Sequence, residues 1–162
     1  MTPQGYSRTQ VWAHWATAGL VAGQLLFAGG IAAAFARGIE TGEPRLNAAA
    51  AAHMATGGAI FLLSVWRLLI RQDRGAPVPP PGTPPWQARA ARAGHAALYF
   101  LLLSMPMTGA VAWGMASPTA ASAHQAGKAA LIGLVALHVA AALFGQVMRR
   151  DGTLARMLRP GR

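Results

Sequence analysis

The sequence predicts an all-α integral membrane protein, a four-helix bundle with both termini cytoplasmic. Three observations lead there. Only 11 % of the 162 residues are charged and 54 % are hydrophobic, whereas a soluble domain carries about 25 % charged residues. Four apolar runs are each long enough to cross a hydrocarbon core about 30 Å thick. The arginines collect between the runs on one side of the resulting arrangement. One domain, residues 1–162, accommodates the chain.

The first run extends over 11–35. An apolar core of that length exceeds the usual signal peptide, and the polar His14 near its start fits one poorly. The second run covers 46–70, the third 94–115 and the fourth 126–148. Backbone polar groups find no water in the bilayer, so each run is expected to be helical. Glycines inside the runs, such as Gly57-Gly58, suit close approach of a helix or a cofactor. Pro106 is expected to kink the third helix.

The linkers differ in chemistry. Residues 37–45 are short and of mixed charge. Residues 76–85 hold six prolines (Pro77, Pro79, Pro80, Pro81, Pro84 and Pro85) and read as an extended strap. Residues 116–123 carry the turn signal Ser117-Pro118-Thr119. The tail, 149–162, is basic, with Leu154, Met157 and Leu158 spaced to rest on a membrane surface.

Charge sets the expected orientation. Arg8, Arg67, Arg71, Arg74, Arg89, Arg92, Arg149, Arg150, Arg156, Arg159 and Arg162 fall on one side, with Arg37, Arg45 and Lys128 on the other. The positive-inside rule assigns the first side, with both termini and the strap, to the cytoplasm. A net charge of +10 would also suit nucleic acid, but these arginines line no single face of a soluble fold. The partners expected instead begin with membrane lipid.

Cysteine is absent, which removes disulfides, thiolate metal sites and iron–sulfur clusters. The acids are Glu40, Glu43, Asp73 and Asp151, and none lies at membrane depth. A histidine-based proton relay without cofactor would need one there. No phosphate-binding glycine loop, Ser–His–Asp set or paired carboxylate is present.

All five histidines lie in or at the ends of the runs. Ionisable side chains inside a membrane are costly and usually functional. His124 and His138 share one face of the fourth helix, about 21 Å apart along its axis. Depth then sorts an outer pair, His53 with His124, and an inner pair, His14 with His138. Two imidazoles from two helices at each of two depths suit two haem b irons, which need axial ligands and a dry slot but no cysteine. Zinc would usually want a third protein ligand. Arg67 lies on the face of His53 at the inner level, where it either meets a haem propionate or reaches to the interface. His95 opens the third span at the inner side, as a propionate or quinone contact, a cap, or a replacement inner ligand. Met105, Met107 and Met115 are expected to pack. Trp12, Trp15, Trp66, Trp86 and Trp113 near the span ends form an interfacial belt.

Tyr6-Ser7-Arg8 with His14-Trp15, His53 with Gly57 and Trp66-Arg67-Leu68, and His95 with Leu98-Tyr99 form an ordered series. It continues through Pro106 with Gly109, His124, and Leu137-His138 with Ala140-Ala141-Ala142-Leu143. It ends on Arg149-Arg150-Asp151, Leu154 and Arg156-Met157-Leu158. In this register the chain resembles the bacterial cytochrome b561 family, the small four-helix di-haem type. The resemblance implies two b haems, ligated by His14 with His138 and by His53 with His124. It implies electron transport in the bacterial inner membrane, as part of a respiratory chain, with quinone as the usual partner. It further implies a periplasmic electron donor or redox subunit. Superoxide is one such donor, which would make the protein a quinone-linked oxidoreductase. A second reading is a haem-bearing membrane anchor of a larger dehydrogenase or hydrogenase. A homodimer is compatible with either.

Overall fold

The structure, a computed structural model, describes residues 5–27, 29–42 and 46–161. Arg45 and Arg162, counted above in the charge asymmetry, lie outside the described residues. Six helices are described, α1 (Arg8–Leu26), α2 (Gly29–Thr41), α3 (Ala48–Arg74), α4 (Pro85–Gly114), α5 (Pro118–Val147) and α6 (Ala155–Leu158). No strand occurs among the described residues.

The long helices start where the sequence supplies a capping side chain or a proline. Ser7 and Gln10 form a reciprocal capping box on α1, with Gln10 N–H donating to Ser7 Oγ at 3.3 Å and Ser7 N–H to Gln10 Oε1 at 2.9 Å. Asn47 accepts from the Ala50 amide at 2.8 Å to open α3. Pro85 and Pro118 stand in the first turns of α4 and α5, where a missing N–H costs nothing.

Those two prolines lengthen their helices beyond the predicted apolar runs. The strap is extended only up to Pro84, and α4 begins at Pro85 rather than near Gly94. The expected turn over 116–123 shrinks to Met115–Ser117, because Ser117 caps α5 and Pro118 opens it. α4 runs through Pro106 to Gly114.

The first predicted run is not one straight helix. α1 and α2 meet at a bend of 53°, beside Gly29 and Gly30. α1 alone, at 19 residues, is about 28 Å long and nearly matches the hydrocarbon core. α2 turns Gly30, Ala34 and Gly38 inward. Gly30 lies against Ala49 so closely that a Cβ would collide, and Ala34 and Gly38 are buried. Three helices (α3, α4 and α5) are long and apolar enough to cross a membrane, and counting the bent pair α1–α2 as one span makes four.

α1 packs on α3, α3 on α4, and α4 on α5. The core takes one buried residue from each, namely Val21, Ile60, Leu102 and Leu131, flanked by Leu20, Leu25, Leu98, Leu101 and Val135. Most other large apolar side chains face outward, including Leu62, Phe100, Leu137 and Phe144. That distribution suits lipid, which exposes apolar side chains without penalty.

The tail folds back over the inner end. Trp15 Nε1 donates to the Met157 carbonyl at 2.7 Å, Arg156 to the Val78 carbonyl at 2.8 Å, and Gly161 N–H to the Tyr6 carbonyl at 2.9 Å. Arg149 donates to the Gln87 side chain. Asp151 closes the end of α5, accepting from the Thr153 amide and hydroxyl. Burial alone would push its carboxyl pKa up. The Thr153 hydrogen bonds and the charges of Arg149 and Arg156 outweigh that and hold it below the ordinary carboxylate range. Gly145 makes this closure fit, since a Cβ there would lie 3.0 Å from Asp151 Oδ1. The tail is therefore a clasp joining the strap to the first helix, with only Leu158 of its three apolar residues exposed.

Candidate functional site

The helices carry their polar side chains on faces that repeat every two turns. His53, Ile60 and Arg67 follow one another on α3; His95, Leu102 and Gly109 on α4; and His124, Leu131 and His138 on α5. His14 and Val21 do the same on α1. Two polar levels result, separated by the apolar layer of Val21, Ile60, Leu102 and Leu131.

At the inner level, His14 and His138 approach from α1 and α5 with ring centroids 6.2 Å apart and planes at 54°. His95 joins them from α4, with its ring centroid 5.3 Å from that of His138 and planes at 79°. Arg67 reaches in from α3. Its Nη2 lies 3.0 Å from His14 Nδ1, and its guanidinium carbon sits 5.5 Å from the Tyr99 ring centroid. A guanidinium only donates, so His14 Nδ1 accepts here. His95 Nδ1 lies 2.7 Å from the Ala91 carbonyl. A carbonyl only accepts, so His95 donates from Nδ1 and keeps a lone pair on Nε2.

At the outer level, His53 and His124 approach from α3 and α5 with centroids 6.3 Å apart and planes at 65°. The two are held differently. His124 Nδ1 donates to the Met105 carbonyl at 3.0 Å and lies 3.3 Å from Thr108 Oγ1. Gly109 lets the imidazole rest on α4, since a Cβ there would be 3.2 Å from its Cε1. His53 Nδ1 is buried with no hydrogen-bond partner among the described residues. Its backbone is held instead, with the carbonyl accepting from Gln24 Nε2 at 2.8 Å and Thr56 Oγ1 at 3.2 Å.

All six predicted site residues thus fall into two groups, His14, Arg67, His95 and His138 in one, His53 and His124 in the other. Sequence reasoning missed Gln24, although a lone amide in an apolar run is a visible signal. It also missed Thr108 and the Met105 carbonyl, which only the packing of α4 on α5 brings to His124. Trp15, expected at the interface, holds the tail. Among the described residues, no three histidine or acidic side chains converge on a point that could hold a bare metal ion.

Residues 5–160 match the family described as prokaryotic cytochrome b561. The chain belongs to that family. It is 35 % identical to cytochrome b562 of Cereibacter sphaeroides, over 96 % of each chain. It is 29 % identical to cytochrome b561 homolog 1 of Escherichia coli K12, over 94 % of this chain and 96 % of that one. As a prokaryotic cytochrome b561, it is a membrane cytochrome of haem-based electron transport, and the family implies haem b.

Proposed function

We propose that this cytochrome b561 carries electrons across the bacterial cytoplasmic membrane through two b haems in one four-span domain. The reading rests on the two histidine levels. A metal–imidazole bond is about 2 Å long and the ring centre lies about 1 Å farther, so two imidazoles trans on one metal have centroids about 6 Å apart. His14 with His138, at 6.2 Å, and His53 with His124, at 6.3 Å, fit that spacing. The donor set fits as well, since imidazoles set among apolar side chains suit haem iron. A bound b haem supplies a one-electron ferric–ferrous couple.

The chain's own residues do the rest. His124 keeps its Nε2 lone pair available by donating from Nδ1. His14 has to give up its bond to Arg67 to donate from Nδ1 in the same way, and that release frees Arg67 for an anionic group such as a propionate. A fixed positive charge at Arg67 favours the reduced state of the inner site electrostatically. The layer of Val21, Ile60, Leu102 and Leu131 keeps water out between the levels. The levels are about 21 Å apart along the axis. Electrons enter at the outer level from a periplasmic donor, superoxide among the candidates, and leave to quinone at the inner level, beside His95.

A reduced-minus-oxidised spectrum of the purified protein, with haem quantified per chain, tests the proposal. Two low-spin b haems per chain are expected, and one or none overturns it. The orientation rests on the arginines gathered at the inner end, among them Arg71, Arg74, Arg89 and Arg92. Reporter fusions after Arg74 and after Arg162 are expected to read cytoplasmic, and a periplasmic signal from either breaks the four-span arrangement.

A further inference from the structure

We infer that the Thr108 hydroxyl tunes the outer haem by sharing the carbonyl that orients His124. The inference rests on the reading above, in which His124 is an outer ligand. Besides its place in the helix, the Met105 carbonyl receives two side-chain donors at nearly equal distance, His124 Nδ1 at 3.0 Å and Thr108 Oγ1 at 2.9 Å. Thr108 Oγ1 is itself 3.3 Å from His124 Nδ1, so the three groups form one small network between α4 and α5. His53 has no counterpart among the described residues, where its Nδ1 meets no partner. Side-chain tuning of the outer pair through a ligand's second nitrogen therefore runs through His124.

A ligating imidazole becomes more basic as its second N–H is drawn more strongly to an acceptor. A more basic imidazole stabilises the ferric state and lowers the potential. The Thr108 hydroxyl opposes this. By donating to the same oxygen, it leaves less of that oxygen's lone-pair density for His124. Its own oxygen, farther from Nδ1 than the carbonyl is, replaces only part of that pull. Thr108 is thus a positioning residue that holds the outer potential up, and it contacts neither the iron nor a substrate.

The test is a redox titration of the haem-loaded protein in Thr108→Val, Thr108→Ser and His124→Ala. Valine keeps the shape and removes the hydroxyl, whereas serine keeps the hydroxyl. The expected result is a lower outer potential in Thr108→Val with two low-spin haems retained and the inner potential unmoved. Thr108→Ser is expected to return the outer potential to the parent value. An outer potential that stays put or rises in Thr108→Val overturns the tuning role, as does loss of the outer haem in that variant. If His124→Ala loses the outer haem while Thr108→Val titrates like the parent, only the tuning fails. If His124→Ala keeps both low-spin haems, the ligand reading fails and the tuning with it.

Discussion

Replacing His124 with alanine is expected to remove one haem per chain and leave the inner haem spectrum intact. His124 is the better-oriented imidazole of the outer pair, held by the Met105 carbonyl and seated on Gly109. Partners of this kind fix the tautomer of a ligating histidine, and losing one typically costs about 10–100-fold in metal affinity. Losing the ligand as well leaves only His53, whose Nδ1 has no partner among the described residues to hold its ring. His53→Ala is expected to lose the same haem. The inner level stays intact in both variants because the apolar layer of Val21, Ile60, Leu102 and Leu131 stands between the two sites. Optical and EPR spectra, with haem quantified per chain, check the result. Two low-spin haems in His124→Ala would rule out the assignment of the outer pair.

At the inner level, His14→Ala is expected to lose the haem or leave it high-spin, whereas His95→Ala is expected to keep it low-spin and six-coordinate. Both histidines face His138, so proximity does not separate them. The expectation follows the family resemblance, in which His14 would hold the haem with His138; their centroids are 6.2 Å apart, against 5.3 Å for His95 and His138. His95 still packs on the His138 ring, so removing it is expected to shift the inner potential or slow electron exchange with quinone. Spin state from EPR and the inner midpoint potential distinguish the two variants. A low-spin haem in His14→Ala together with a lost haem in His95→Ala would reverse the ligand assignment without touching the two-level design.

Much of this architecture was legible in the chain. Apolar length and the shortage of charge announced membrane helices, because no other structure satisfies the backbone in lipid. The spacing of His124 from His138, and of His53 from Arg67, announced two levels on shared helix faces, because helical periodicity is local. The bend between α1 and α2 was not legible in the same way. A glycine pair permits a break but does not require one, and the angle depends on how Gly30, Ala34 and Gly38 pack against the start of α3. The role of the tail was hidden for a similar reason. Its amphipathic spacing suggested a surface helix, but Trp15 and Val78, distant in sequence, capture it as a clasp.

The sequence by itself determined the family, the helical class and the two depths at which histidines stand, since composition and period are properties of the chain alone. Only the tertiary structure decided how those histidines are held. His95 joined the inner pair because α4 packs between α3 and α5. His124 acquired a carbonyl partner because Gly109 admits its ring against α4. Arg67 settled on His14 and over Tyr99. Each of these depends on how neighbouring helices are rotated and set against one another. That arrangement is fixed by packing between residues far apart in the chain, which no local pattern encodes.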